Sequence, residues 1–206
     1  MQLRKFILSP YQTNGYLLSE GKEAIFIDPG DNPEKVVNVI QEEGLELTHI
    51  LITHMHIDHF YGAAKLAAET GAEIMGSSED EFMVETEIHD APRWGYPPLK
   101  EDFSFTPISP SEQTFLGQKC AIIPTPGHTP GSLTFHFIEE KRAFVGDLIF
   151  LRSIGRTDFT GGDLNSLLDS VTSHIFSMPD ETILYSGHGF PTNVIDEKMH
   201  NPHFND

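Results

Sequence analysis

Three histidines and one aspartate lie within six consecutive positions, and this cluster strongly limits what the chain can fold into. The stretch is His54-Met55-His56-Ile57-Asp58-His59. Imidazole and carboxylate groups are the usual side-chain ligands for zinc and similar divalent metals. Because side chains alternate along an extended backbone, His54 and His56 can point to the same side. The stretch therefore predicts a metal site rather than a polar loop that happens to be rich in histidine.

The flanks of this cluster predict its place in the fold. Residues 48–53 are apolar and rich in β-branched side chains, as in a buried strand. Residues 60–71 are rich in alanine and end at Gly71, which is typical of a helix with a C-terminal glycine cap. The cluster would then occupy a turn from strand to helix, where open α/β sheets bind ligands. Asp58 would lie near the helix N-terminus, where the dipole favours an ionised carboxylate.

Length and composition limit the class of protein. The chain has 206 residues, enough for one substantial core or at most two small domains. It has no apolar run of about 18 residues and no signal-peptide pattern at its N-terminus, so we expect no membrane span and no secretion. The single cysteine, Cys120, excludes an internal disulfide and favours a cytoplasmic location. The formal net charge of -18 argues weakly against nucleic acid or an anionic membrane as a partner.

The predicted elements follow one order twice along the chain. The first half has predicted strands at 3–8, 15–19, 23–28, 48–53 and 72–75, with helices at 33–44, 60–71 and 78–87. The second half has predicted strands at 114–116, 120–123, 133–138, 142–145 and 182–185, with helices at 163–176 and 193–200. This order predicts two sheet-plus-helix halves packed face to face as a four-layer αββα sandwich. We expect one α/β domain over residues 1–206.

Residues 88–110 interrupt this order. The segment contains five prolines and several aromatic residues, which break regular structure and add apolar surface. A loop of this length in a compact domain is often a lid or a binding loop, and the alternative is an ordered wrap over the core. The sequence leaves both interpretations open.

Three further candidate ligands each follow an apolar strand and a glycine. They are His128, Asp147 and His188, and a preceding glycine gives the backbone freedom to aim the next side chain. Together with the first cluster they make seven candidates: His54, His56, Asp58, His59, His128, Asp147 and His188. Since a catalytic zinc needs only three protein ligands, seven candidates fit two metal ions.

The candidates divide into two sets. We expect the first metal on His54, His56 and His128, and the second on Asp58, His59 and His188. Asp147 can bridge the two, because a carboxylate has two oxygens to share. The metals would lie roughly 3.5 to 4 Å apart and share a water or hydroxide. Three other residues, His49, His136 and Cys120, lie within predicted strands and are expected to be structural.

These motifs together resemble one known family. The pattern His54-x-His56-x-Asp58-His59, with glycine-flanked His128, Asp147 and His188, is similar to the metallo-β-lactamase-fold hydrolase superfamily. Within it the chain is most similar to the glyoxalase II-like, or hydroxyacylglutathione hydrolase-like, branch. The supporting marks are Ile27-Asp28-Pro29-Gly30, Ser153-Ile154-Gly155-Arg156-Thr157-Asp158 and Asn201-Pro202. Because hydroxyacylglutathione hydrolases usually carry a further C-terminal helical domain, the chain is expected to be a short form.

The resemblance implies a binuclear metal-dependent hydrolase that attacks acylglutathione-type thioesters through a metal-bound hydroxide. Zinc is the expected metal, with iron or manganese as alternatives, and Asp58 is expected to orient the hydroxide. The motifs contain no obvious extra general acid, and a thiolate leaves without one more easily than an amide nitrogen does. In glyoxalase II a basic residue contacts the carboxylate of the thiol carrier. Arg156 is expected to do so here, and a local ion pair with Asp158 is the alternative.

Other functions stay open at this point. A persulfide dioxygenase would use a single iron on His54, His128 and Asp147, and would not need His59. A hydrolase of lactones, phosphodiesters or RNA could use the same scaffold, although the acidic charge weighs against RNA. A non-catalytic metal-binding module is the last alternative. The expected partner is a small-molecule thioester, with no nucleic acid or membrane, and the sequence does not determine the oligomeric state.

Overall fold

The computed structural model describes residues 1–205, and the chain forms two compact units, Met1–Ile108 and Ser109–Asp206. Each unit contains one six-stranded sheet with helices, which confirms the predicted α/β class. The prediction of a single domain over residues 1–206 stays a prediction. Within residues 1–205, no helix is both long and apolar enough to cross a membrane.

The sheet of the first unit follows chain order from one edge to the other. Its strands are β1 Gln2–Leu8, β2 Thr13–Glu20, β3 Glu23–Ile27, β4 Glu46–Leu51, β5 Glu73–Gly76 and β6 Thr106–Pro107. The pairs β1–β2 and β2–β3 are antiparallel, and the pairs from β3 to β6 are parallel. The helices are α1 Glu34–Glu43, α2 Ile57–Phe60, α3 Ala63–Thr70 and α4 Glu81–Asp90, with 3₁₀ turns at Ser78–Asp80 and Ala91–Trp94.

Helix α1 shows why these sequences form these elements. Its apolar side chains Val36, Val37 and Ile40 recur at helical spacing and are buried in the core of the unit. Gly44 ends the helix with a φ of 62°, a left-handed conformation in which glycine carries no Cβ penalty. Strand β4, which pairs in parallel with β3, follows α1 and leads into the histidine cluster.

The structure corrects three details of the first unit. The helix predicted at 60–71 is two helices, α2 and α3, because Gly62 donates its amide to the carbonyl of Pro29 at 2.7 Å. A side chain at Gly62 would overlap the carbonyl oxygen of Asp31, so this close approach requires glycine. The side-chain cap is Ser77 rather than Ser78, and it caps the 3₁₀ turn Ser78–Asp80 before α4 by accepting a hydrogen bond from the amide of Glu79. Residues 88–110 include the end of α4, a 3₁₀ turn and β6.

The second unit repeats the combination of a sheet and helices. Its sheet has the order β14-β13-β10-β9-β8-β7, and only the pair β10–β13 is parallel. The strands are β7 Ser111–Phe115, β8 Gln118–Pro124, β9 Leu133–Phe137, β10 Arg142–Gly146, β13 Ile183–Ser186 and β14 Thr192–Asn193. A two-stranded sheet joins β11 Ile149–Phe150 and β12 Ser153–Ile154. The strands β11, β12 and β14 were not predicted, because two residues are too few to show an alternating pattern.

The helices of the second unit are capped by side chains. Helix α5, Leu164–Ser170, begins after Asp163, whose carboxylate accepts from the amide of Ser166 at 2.7 Å. It continues as a π-helical turn at Val171–Ile175, so the helix predicted at 163–176 widens in its last turn. Helix α6, Val194–His200, begins after Asn193, whose side chain accepts from the amide of Asp196 at 2.8 Å.

Cys120 lies on β8 and is fully buried, as predicted for a structural residue. Burial raises the pKa of its thiol to about 12. We therefore expect the folded protein to resist a thiol-reactive probe at pH 8, because the reactive thiolate is scarce and the sulfur is covered. The measurement is mass spectrometry after labelling, and the same protein in denaturant is the control. Rapid labelling of the folded chain would contradict this expectation.

Candidate metal centre

The four candidate ligands of the first unit lie together where β4 leads into α2, with His54 and His56 in the predicted turn and Asp58 and His59 in α2 itself. The rings of His54 and His56 are 4.9 Å apart between centroids, and those of His54 and His59 are 4.1 Å apart. Asp58 Oδ2 lies 3.7 Å from His59 Nε2. The three imidazoles are buried, whereas the Asp58 side chain is 19% exposed. This unit thus presents three imidazoles and one carboxylate to one small volume.

Asp28 determines how two of these imidazoles are oriented. Its carboxylate accepts from His59 Nδ1 at 2.9 Å, from the amide of Thr53 at 2.8 Å and from the hydroxyl of Thr53 at 2.7 Å. Because the Thr53 hydroxyl gives its hydrogen to Asp28, its oxygen accepts from His54 Nδ1, which lies 3.1 Å away. Both rings therefore carry their proton on Nδ1 and their lone pair on Nε2, the atom that would bind a metal.

The sequence did not identify Asp28 as part of the site. It appeared there only as the end of a strand and as one mark of family resemblance. Asp28 has a φ of 54°, which is uncommon outside glycine and which aspartate tolerates better than most residues do. An acidic residue in a tight Asp-Pro-Gly turn directly after an apolar strand was the available signal. Its partners lie 25 and 31 residues further along the chain, so local patterns could not show them.

Two further carboxylates hold the backbone of the histidine turn. Asp80 accepts from the amide of Met55 at 3.1 Å, and Glu87 accepts from the amide of Ile57 at 2.9 Å. These amides alternate with the candidate ligands, so the carboxylates fix the extended backbone between ligand side chains. Burial, and then the nearby Asp58 carboxylate, raise the pKa of Glu87. Neither residue was recognised from the sequence.

Close backbone packing also supports Asp58. The hydroxyl of Thr13 donates to Asp58 Oδ2 at 2.8 Å, which fixes the carboxylate. A side chain at Gly30 would overlap the carbonyl oxygen of Asp58. Gly30 is one of the residues that carry the family resemblance, and its presence there has a physical reason. Only glycine lets the turn after β3 approach the histidine turn this closely.

The three candidate ligands of the second unit also lie together. Asp147 Oδ2 is 3.7 Å from His128 Nε2 and 3.4 Å from His188 Nε2. They follow β8, β10 and β13 respectively, as predicted from the apolar runs before them. His128 Nδ1 lies 2.7 Å from the carbonyl oxygen of Arg156, and since a carbonyl only accepts, Nδ1 donates. His128 thus also turns its Nε2 lone pair toward Asp147.

The glycines before these ligands behave as predicted in two cases of three. Gly127 has a φ of 140° and Gly146 a φ of 52°, both in the region that favours glycine. Gly187 has no positive φ, and instead donates its amide to the carbonyl of Gly146 at 2.8 Å. Gly155 contributes in a way that was not predicted, because a side chain there would overlap the carbonyl oxygen of Asp147.

Arg156 forms the local ion pair that was the alternative to a substrate contact. Its guanidinium donates twice to Asp158, at 2.7 Å and 2.7 Å, and its Cζ lies 4.0 Å from the centre of the Phe159 ring. This pairing lowers the pKa of Asp158 to about 2 and raises that of Arg156. The side chain of Arg156 is exposed, and its role in substrate binding stays a prediction.

His49 and His136 lie in β4 and β9, within strands as predicted, and their structural roles stay a prediction. Burial lowers the pKa of His136, so its imidazole favours the neutral form.

The donor atoms within each unit suit a divalent metal. The first unit offers three imidazoles and a carboxylate, and the second offers two imidazoles and a carboxylate. At least three of the imidazoles carry an Nδ1 hydrogen bond that directs Nε2 outward, which is the usual support for a metal-binding histidine. The residues therefore fit the metal chemistry predicted from the sequence.

Known proteins are similar to this chain over most or all of its length. The profile of the metallo-beta-lactamase superfamily matches residues 8–188. The chain is 36% identical over 212 residues to hydroxyacylglutathione hydrolase GloC of Haemophilus influenzae, covering 100% of this chain and 99% of GloC. The crystal structure of the B3 metallo-beta-lactamase BLEG-1 matches with a TM-score of 0.89 and 31% identity, covering 100% of each chain. The crystal structure of TTHA1623 in a di-iron-bound form matches with a TM-score of 0.88 and 33% identity, covering 97% of this chain and 99% of TTHA1623.

The chain belongs to the metallo-beta-lactamase superfamily, as its histidine and aspartate motifs predicted. Its α/β fold is the metallo-β-lactamase fold. More particularly, the chain is a metallo-hydrolase of this superfamily, and its likeness to GloC agrees with the predicted glyoxalase II-like branch.

Proposed function

We propose that this chain is a binuclear metal-dependent hydrolase that cleaves acylglutathione-type thioesters. The observation that carries the proposal is its likeness, over the full length of both chains, to a protein named hydroxyacylglutathione hydrolase. The supported and oriented histidines agree with it, because they supply the ligand types that a hydrolytic metal site needs. In the reaction, water adds to the thioester carbonyl carbon, the carbon–sulfur bond breaks, and a carboxylate and a thiol are released.

We propose that the seven candidate ligands hold two metal ions, as expected from the sequence. His54, His56 and His128 would hold the first, Asp58, His59 and His188 the second, and Asp147 would bridge them. When bound, two divalent cations polarise the carbonyl and lower the pKa of water toward neutrality. Zinc is the proposed metal, and iron is the main alternative because TTHA1623 has been solved in a di-iron-bound form.

The chain's own residues position the reacting groups. Asp28 fixes the tautomers of His54 and His59, and the carbonyl of Arg156 fixes that of His128. Thr13 holds the Asp58 carboxylate, which can then orient the attacking water through its hydrogen. A thiolate can leave without a dedicated acid, since its parent thiol has a pKa near 8.5.

Metal analysis beside two activity assays tests this proposal. We expect about two divalent ions per chain and release of free thiol from S-lactoylglutathione. Activity should disappear when a chelator removes the metal and return when zinc is added. The control is oxygen uptake with glutathione persulfide, which a hydrolase should not show. A single iron per chain together with oxygen uptake would instead identify a persulfide dioxygenase, and an intact thioester in the presence of bound zinc would refute the substrate class.

A further inference from the structure

A small hairpin of the second unit, formed by β11 and β12, connects the candidate ligand Asp147 to Arg156. The carbonyl oxygen of Arg156 lies 2.7 Å from His128 Nδ1 and accepts its hydrogen. The hairpin is closed at its base, where the amide of Gly155 donates to the carbonyl oxygen of Leu148 at 3.2 Å. The position of the hairpin therefore determines where the hydrogen-bond acceptor of His128 lies.

The turn at the tip of this hairpin has a strained backbone that is held from outside. Arg152 belongs to the turn and has a φ of 60°, a left-handed conformation that is costly for a residue with a Cβ. Its amide donates to Glu197 Oε2 at 3.0 Å, and its guanidinium donates to Glu197 Oε1. Strained residues persist only where the surrounding structure holds them. Glu197, on helix α6, is the residue that holds this turn.

Glu197 is a buried carboxylate with several hydrogen-bond donors around it. Its side chain is 0% exposed. Besides the two donors of Arg152, it accepts from the hydroxyl of Thr192 at 2.6 Å and from Asn201 Nδ2 at 2.8 Å. A buried charge is costly unless it is paired and hydrogen-bonded, and a well-satisfied polar network of this kind is rigid. The network therefore joins α6 firmly to the tip of the hairpin.

Asn201 forms a second link, between the end of α6 and strand β12. Its Nδ2 donates to the carbonyl oxygen of Ser153 at 3.0 Å as well as to Glu197. Asn201 is fully buried, and its side-chain oxygen accepts from the amide of His203 at 3.1 Å. Ser153 lies three residues before Arg156. Glu197 and Asn201 thus hold both the turn and the strand that lead to the acceptor of His128.

We propose that Glu197 and Asn201 are positioning residues for the candidate metal ligand His128 and act on it through the hairpin. They keep the carbonyl oxygen of Arg156 where it accepts from His128 Nδ1, so that the Nε2 lone pair stays available for a metal. This inference rests on the proposed role of His128 as a metal ligand and not on the proposed substrate. Groups that support a metal ligand in this way typically change metal affinity by about 10- to 100-fold.

The Nδ1 proton of His128 reports on this support in the metal-free protein. In isotope-labelled protein, nuclear magnetic resonance shows which imidazole nitrogen carries the proton, and the His128 signals are identified by their absence in His128→Gln. We expect Glu197→Gln and Asn201→Ala to speed the exchange of this proton with solvent by about 10-fold, because local opening then breaks about one hydrogen bond fewer. The zinc affinity of both variants should fall by about 10-fold.

Glu197→Gln is a mild change that still disturbs the network. Glutamine has the same size and keeps one accepting oxygen, so the variant is expected to fold. Each oxygen of Glu197 accepts from two donors, and the glutamine amide group would bring a donor to one of those positions. Asn201→Ala tests the second link by itself, since alanine removes the group that donates to Ser153.

A matched control separates positioning from a general loss of stability. Val194 lies on α6, and its side chain is fully buried in the apolar core of the second unit. Val194→Ala should lower the thermal stability by leaving a cavity, but it removes no hydrogen bond of Glu197 or Asn201. We expect this variant to keep the slow exchange of the His128 proton and the parent zinc affinity. Equally fast exchange in Val194→Ala, or unchanged exchange in Glu197→Gln and Asn201→Ala, would overturn the inference.

The proton exchange of His128 and the hydrolysis of a thioester fail independently. If the parent chain hydrolyses no thioester but the His128 proton responds as expected, the inference stands and the proposed substrate class is refuted. Hydrolysis of S-lactoylglutathione by the parent chain, with unchanged exchange and zinc affinity in Glu197→Gln and Asn201→Ala, would leave the proposed function standing and refute the inference.

Discussion

Replacing His59 with asparagine is expected to lower thioester hydrolysis by about 100-fold or more and to halve the metal content of the purified protein. Loss of an outer partner of a metal ligand typically costs 10- to 100-fold, and loss of a ligand itself should cost at least as much. The asparagine amide can still donate to Asp28, which accepts from His59 Nδ1 in the parent chain. The variant therefore removes the metal-facing nitrogen with limited damage to the buried hydrogen bonds.

The matched control for this variant is His49→Asn. His49 lies within β4, ten residues before His59, and is not among the proposed ligands. The His49→Asn variant should retain both the metal content and the hydrolytic activity of the parent chain. If His59→Asn keeps full hydrolytic activity with a single bound metal, the binuclear assignment is wrong. Such a result would favour a site on His54, His128 and Asp147 alone.

Replacing Asp28 with alanine is expected to reduce the free energy of unfolding by about 3 kcal/mol, because several buried donors lose their acceptor at once. Asp28 accepts from His59 Nδ1 and from the amide and the hydroxyl of Thr53, and it is almost fully buried. Alanine also tolerates the φ of 54° poorly. Denaturant unfolding of the metal-free protein measures this effect.

Asp28→Asn separates orientation of the ligands from stability. Asparagine tolerates the left-handed backbone, and its carbonyl oxygen can still accept from the amide of Thr53. Its amide group would face His59 Nδ1 with a donor, which favours the wrong tautomer. We expect a metal affinity lower by about 10- to 100-fold with a smaller loss of stability. Asp31→Asn changes a neighbouring carboxylate that accepts from the amides of Ser9 and Asn32, and it should leave metal affinity unchanged. If the parent protein, Asp28→Asn and Asp31→Asn all bind the metal with equal affinity, the orienting role of Asp28 is refuted.

The grouping of the candidate ligands within each unit could be predicted from the sequence because both their chemistry and their immediate surroundings are local. His54 to His59 follow an apolar strand and lead into a helix, and the structure has His54 and His56 between β4 and α2, with Asp58 and His59 in α2. His128, Asp147 and His188 each follow an apolar strand. Asp147 Oδ2 lies 3.7 Å from His128 Nε2 and 3.4 Å from His188 Nε2. Parallel or neighbouring strands bring such ends together, so strand prediction was sufficient within each unit.

Residues that act through hydrogen bonds were harder to predict. Asp80 and Glu87 accept from the backbone of the histidine turn, yet on a helix such acidic residues are usually solvated surface. Arg156 was predicted to contact either substrate or Asp158, and the ion pair with Asp158 is what the fold forms locally. The carbonyl oxygen of Arg156 accepts a hydrogen bond from His128 Nδ1. This contact could not be predicted, because every residue has the same carbonyl group.

The sequence by itself determined which side chains of this protein offer the donor atoms that a metal could bind. Its seven candidate ligands, and most of the strands and turns that carry them, follow from side-chain type and from patterns a few residues long. Only the tertiary structure decided which nitrogen carries the proton in His54, His59 and His128. Asp28 lies 31 residues before His59, and the carbonyl of Arg156 lies 28 residues after His128. These hydrogen bonds form because packing brings distant backbone turns together, and no pattern along the chain encodes their distance or direction.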